Sequence, residues 1–162
     1  MEFIKNTSQE LEVCQNYKKD NRENTGYKNY LEKIFIKPWG KEYLAYQQNN
    51  IGIWILHVHK NKETSVHCHF KKDTILMSLK GAFKINLFEN YRILNELECI
   101  YVPRNTFHGI HSYTDGSILM EIELYTDKIN YSDKNDLLRL RDSFIRDKDK
   151  YETSVKEIKD EK

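Results

Sequence analysis

The 162 residues suit one domain with a single core, and 26 Lys and Arg against 25 Asp and Glu leave a net charge of +1. Such a balance supplies no field to steer nucleic acid or an anionic membrane surface, so neither is expected as a partner and a small neutral or modestly anionic molecule is. No apolar run approaches the ~18 residues of a membrane span, Met1 to Glu10 has neither an apolar nor a basic leader region, and a cytoplasmic setting is expected.

Residues 1–35 are polar and rich in Asn, Lys and Glu. Thr7 and Glu10 have the spacing of a capping box that opens a short helix over Gln9–Tyr17, and the segment as a whole is expected to be loosely attached. From Ile34 onward, β-branched and aromatic residues come in short runs broken by turn residues, which is the signature of consecutive antiparallel strands. Strands are expected at Tyr43–Gln48, Gly52–His59, Thr64–His69, Thr74–Lys80, Ala82–Leu87, Cys99–Val102, His108–Ser112 and Ile118–Thr126. With no helical period between them, residues 36–126 predict an all-β, closed or double-sheet domain, with a jelly-roll barrel as the leading form. Beyond Thr126, Leu137, Leu140 and Phe144 fall at i, i+3 and i+7 behind a cap at Ser132 or Asp133. Residues 127–162 therefore predict a C-terminal helix on the outside of the barrel, followed by a frayed charged tail from Asp147.

The chemistry concentrates in six histidines, all between residues 57 and 111. His67 and His69, two apart on a strand, face the same way and can chelate one ion, while Cys68 points to the opposite face. His108 follows the turn Pro103–Phe107 and opens the next strand, where a barrel can bring it against the first pair. Three nitrogen donors with open positions suit a catalytic rather than a closed structural metal site. Cys14, Cys68 and Cys99 are odd in number and irregularly spaced, which predicts reduced thiols, with Cys68 buried as a small hydrophobe. If the Ile53/Ile55 face of its strand looks inward, His57 reaches the site; His111 alternates out of phase with His108 and faces away. Glu121 and Glu123 share a face of the last long strand, so Glu121 is, with His57, a candidate general base. Tyr101 is a candidate hydrogen-bond donor to a bound hydroxyl, and Arg104 a candidate anion holder, with Lys71, Lys72 and Lys84 as further cations near the expected mouth.

The stretch holding His67 and His69, with Gly81 as its closing glycine, resembles the first cupin motif, in which His-x-His is followed by a glutamate and then a glycine. Ile100–His108 resembles the second motif, with Pro103 and His108 at the expected spacing. Lys37-Pro38-Trp39-Gly40 looks like the opening segment of mannose-6-phosphate-isomerase-like cupins. The resemblance implies a single-domain cupin barrel of sugar metabolism, commonly a homodimer, in which His67, His69 and His108 hold a divalent transition metal (Fe, Mn, Ni, Zn or Cu). Thr74 stands where the family has its glutamate ligand, and Asp73, one residue earlier, faces the other way on a regular strand. Asn105 and Leu97 replace two motif glycines. The implied activity is isomerisation or epimerisation of a sugar phosphate or nucleotide sugar in surface polysaccharide synthesis, with a non-haem iron dioxygenase or a non-catalytic ligand-binding module as alternatives.

Overall fold

A computed structural model describes residues 1–17, 30–126, 132, 134 and 136–141, together with the backbone of 154–157. Thirteen strands and one helix are formed by these residues: β1 (Glu2–Phe3), α1 (Ser8–Tyr17), β2 (Lys33–Lys37), β3 (Gly40–Gln48), β4 (Ile51–Val58), β5 (Val66–Cys68), β6 (Lys72–Lys80), β7 (Phe83–Leu87), β8 (Tyr91–Leu94), β9 (Cys99–Val102), β10 (His108–Ser112), β11 (Ser117–Tyr125), β12 (Leu138–Arg141) and β13 (Ser154–Glu157). They make an eight-stranded sheet in the order β1-β9-β6-β11-β4-β3-β2-β13 and a five-stranded sheet in the order β12-β5-β10-β7-β8. Two sheets face each other across one core, as the all-β reading requires.

Alternation along the strands decides what lies between the sheets. Trp54, Leu56 and Val58 of β4, Leu76 of β6, Ile100 and Val102 of β9 and Leu119 of β11 are buried from one side, against Phe83, Ile85 and Ile110 from the other. Residues out of phase with these point outward. Burying such a set, at ~25 cal/mol per Å2 of apolar surface, is the main force holding the two sheets together.

Residues 1–17 are firmly docked, contrary to the loose attachment expected of the N-terminal segment. The capping box is present: the Glu10 backbone N–H donates to Thr7 Oγ1 at 3.1 Å, and the Thr7 N–H donates to Glu10 Oε2 at 2.8 Å. Glu10 is 1% exposed and its other oxygen accepts the Phe107 N–H at 2.8 Å. Asn6 donates to the Arg104 carbonyl and to Thr106 Oγ1, and β1 pairs in parallel with β9. Under α1 a second apolar cluster gathers Cys14, Val66, Cys68, Phe107 and Leu138. The polar part of this docking, through Asn6 and Glu10, is what a hydrophobicity pattern does not reveal.

The C-terminal part also differs from expectation. Leu138–Arg141, placed in a helix by its spacing of leucines, is the strand β12, paired antiparallel with β5. Four residues are too few for a helical period to be told from a strand, and the free edge of β5 offered a ladder. Asp133 and Phe144, the other marks of that helix, lie outside the described residues. Within the tail, Ser154–Glu157 pairs with β2 instead of fraying.

No helix among the described residues is long and apolar enough to cross a membrane.

Candidate metal centre

His67 and His108 are direct partners across β5 and β10, and His69 follows immediately after β5. Ring centroids are 5.0 Å apart for His67–His69, 4.9 Å for His67–His108 and 5.4 Å for His69–His108. One ligating atom from each lies within 4.8 Å of the others, so the three form a group that could hold a metal ion.

The tautomers are set by what holds the far side of each ring. Nδ1 of His67 donates to the Ser65 carbonyl at 2.8 Å, Nδ1 of His108 to the Thr106 carbonyl at 3.1 Å, and Nδ1 of His69 to the Asp136 carbonyl. A backbone oxygen can only accept, so each Nδ1 carries the proton and each Nε2 keeps its lone pair. His69 Nε2 is buried and has no hydrogen-bond partner among the described residues, a condition a folded protein rarely leaves uncompensated. Burial holds all three rings in the neutral, ligating form. His108 is pushed down to about 4, and His67 and His69 lie well below the usual histidine range, helped by neighbouring His108 and Lys72 respectively. The donor set thus has the chemistry of a transition-metal site: three neutral imidazoles, each with a free Nε2 lone pair.

Supporting loops are tied to the same point. Asp136 accepts the N–H groups of Phe70 and Lys71 at 3.0 and 2.9 Å while its carbonyl fixes His69. The Asn105 N–H donates to the His69 carbonyl at 2.7 Å, locking the two histidine-bearing segments together, with Asn105 at φ 63°. That left-handed conformation is one Asn tolerates better than most residues, which explains the replacement of the motif glycine. Gly81 has φ 86°, and a Cβ there would lie 2.2 Å from Thr114 Oγ1.

On the facing sheet, Lys72, Thr74 and Leu76 of β6 and Glu121 and Glu123 of β11 point inward. Lys72 Nζ contacts Glu121 Oε1 at 3.2 Å and binds Glu123 more closely; Glu123 also accepts from Ser132, whose hydroxyl is bonded by Trp54 Nε1 at 2.9 Å. Although burial opposes its charge, the two carboxylates hold Lys72 well above the ordinary lysine range. Burial raises Glu121, against the pull of Lys72. Glu121 Oε1 is 4.0 Å from His69 Nε2. Across β5 from His67 stands Arg139 of β12, on the same face and half-buried.

Several expected site residues lie elsewhere. His57 shares its face with Ile53 and Ile55, but the Trp54/Leu56/Val58 face is the inner one, so His57 points outward and stacks on Tyr43 at 6.1 Å. It is not a base for this centre. Tyr101 is likewise outward on β9, against Phe3 at 5.2 Å, and burial with a hydrogen bond to Asp73 raises its phenol. Arg104 lies 3.7 Å from Asp73, bonded also to Thr126, on that outer side. Neither Tyr101 nor Arg104 joins the histidines. Asp73 faces out and accepts the Arg104 N–H at 2.8 Å; Thr74 faces in, and its buried hydroxyl has no partner among the described residues. His111 points away, 3.7 Å from Glu63. Cys68 is fully buried with its Sγ 3.6 Å from Cys14 Sγ, so these thiols are reduced. Arg139 and Asp136 are residues the sequence did not single out, and Lys72, expected as a cation near the mouth, is buried beside Glu121 and Glu123.

The family model described as mannose-6-phosphate isomerase C-terminal matches residues 22–142. The chain belongs to this family. A mannose-1-phosphate guanylyltransferase of Sinorhizobium fredii (strain NBRC 101917 / NGR234) is 27% identical over 121 residues, covering 74% of this chain and 23% of that protein. The chain spans about a quarter of the length of the curated relatives it matches. Among solved structures, an RmlC-like cupin from Shewanella frigidimarina superposes with a TM-score of 0.53 at 19% identity, over 66% of this chain and 95% of that one. Oxalate decarboxylase from Bacillus subtilis gives 0.58 at 11% identity, over 71% of this chain and 33% of the other. These likenesses establish the cupin fold.

Proposed function

We propose that this cupin is a metal-dependent isomerase or epimerase acting on a phosphorylated sugar or a nucleotide sugar of mannose metabolism. The observation that carries the reading is the convergence of three neutral Nε2 donors beside a buried ammonium–carboxylate cluster, within a family named for mannose-6-phosphate isomerase. A divalent ion bound by His67, His69 and His108 supplies Lewis acidity toward a sugar carbonyl or hydroxyl oxygen. The residues around it do the rest. Glu123, with Lys72 beside it, offers a buried carboxylate acceptor and a fixed positive charge that stabilises the anion formed when a proton α to a carbonyl is moved. Arg139, opposite His67, is the cation suited to a phosphate, since its planar fork matches phosphate oxygens. It takes the anion-holding role first assigned to Arg104.

The test is incubation of the metal-loaded protein with a panel of hexose phosphates and nucleotide sugars in D2O, followed by NMR. Isomerisation of one member, with deuterium entering at the carbon next to the carbonyl, supports the proposal. Arg139→Met should then raise KM at least tenfold for that substrate. No turnover and no deuterium exchange on any member, while one of them binds saturably, would replace the enzyme with a ligand-binding module.

A further inference from the structure

Thr74 of β6 faces inward, and its hydroxyl is buried without a partner among the described residues. Thr74 is paired across the ladder with Glu123, and the next inward residue of that neighbouring strand toward its start is Glu121. We infer that Glu121, from β11, is the fourth protein ligand of the metal centre, replacing from the adjacent strand the carboxylate that β6 lacks. The inference rests on the metal-centre reading of the three histidines.

Three observations carry it. Glu121 Oε1 lies 4.0 Å from His69 Nε2, the buried nitrogen that has no partner. That separation is too long for a hydrogen bond, yet two donors each ~2.0–2.2 Å from one ion can be this far apart. The Glu121 and Glu123 carboxylates are also held unequally. Glu123 is engaged by Lys72 and by Ser132, which Trp54 in turn fixes, whereas the one hydrogen bond to Glu121 among the described residues is that from Lys72 at 3.2 Å. Lys72 can stay with Glu123 when Glu121 turns to an ion. Finally, Glu121 comes from the sheet opposite β5 and β10, so its carboxylate approaches the centre from a different side than His67 and His108.

Within the charged cluster this assigns Glu121 to the metal and leaves Glu123 as the proton acceptor, with Lys72 as the fixed positive charge beside it.

The test uses Co2+ as the probe, with affinity from chelator competition and the visible absorption of the bound ion reporting its ligand set. Wild type should bind one Co2+ per chain, and Glu121→Gln should weaken binding at least tenfold and change the spectrum. Glu121→Gln combined with Thr74→Glu should recover affinity by returning a carboxylate to the motif position. Glu121→Asp, which keeps the charge, should fall between wild type and Glu121→Gln and serves if the glutamine variant does not fold. Unchanged affinity and spectrum in Glu121→Gln, or in Glu121→Asp should that be the only folded variant, would overturn the assignment while leaving the three-histidine centre standing. A wild-type protein that takes up no Co2+, or takes up as much after His69→Ala, would instead overturn the metal centre itself, and the assignment with it.

Discussion

Acidification of the metal-free protein should unfold it through the site histidines, and His108 gives the magnitude. This ring is 2% exposed and is pushed by burial from 6.5 to about 4. The unfolded chain therefore takes up a proton at this position before the folded one does. The folded form has its full stability above pH ~6.5 and loses it as pH falls toward 4. The gap between 6.5 and about 4 corresponds to about 3 kcal/mol for this one ring. His67 and His69 are lowered as well and act in the same direction. Glu121 and Asp136 act oppositely: burial raises both, so the cost of keeping them charged is relieved as the pH drops. The contribution of His108 is isolated by comparison with His108→Gln, which keeps a neutral polar group at the position. Urea unfolding in the presence of EDTA, at intervals from pH 4 to 8, should show wild-type stability flat above pH 7 and falling below 6.5. His108→Gln should lose about 3 kcal/mol less over the same interval. Parallel curves for the two proteins would refute the claim that His108 is buried in its neutral form.

Three further outcomes follow from backbone and burial. Leu97, 69% exposed, sits at φ 66° in the turn before β9; the ~1–2 kcal/mol cost of that conformation outweighs the entropy lost with glycine, so Leu97→Gly should raise stability by about 0.5–1 kcal/mol in urea unfolding. Gly81→Ala should destabilise by about 2 kcal/mol or more, because the new Cβ meets Thr114 Oγ1 at a backbone angle alanine resists; an unchanged unfolding midpoint would contradict this. Of the three thiols, only the half-buried Cys99 should react quickly with a disulfide reagent in the native state, since Cys14 and Cys68 are buried and burial pushes the Cys68 thiol up. All three should react in denaturant.

The histidine triad was legible because a strand period of two forces His67 and His69 onto one face, and because the motif spacing brings His108 to the next ladder. Five other parts of the site were harder to read, each for a physical reason. β4 is apolar on both faces, with Ile53 and Ile55 on one and Trp54, Leu56 and Val58 on the other, so nothing in its pattern says which face is inside; His57 was misplaced for that reason. Arg139 was hidden in a four-residue strand whose leucines also fit a helix. Asp136 acts through its backbone carbonyl, which no side-chain pattern reports. Lys72 was visible as a cation near the mouth, but its inward direction depended on the register of β6. Glu10 ties the N-terminal helix to the turn before His108 by a single buried carboxylate, a contact 97 residues apart in sequence.

Whether His67, His69 and His108 hold a metal is read by elemental analysis of untagged protein, run beside His67→Ala, His69→Ala and His108→Ala. About one transition-metal ion per wild-type chain is expected, lost in each variant while circular dichroism shows the fold retained. Metal content that is negligible in wild type after reconstitution, or equal in wild type and variants, would contradict it.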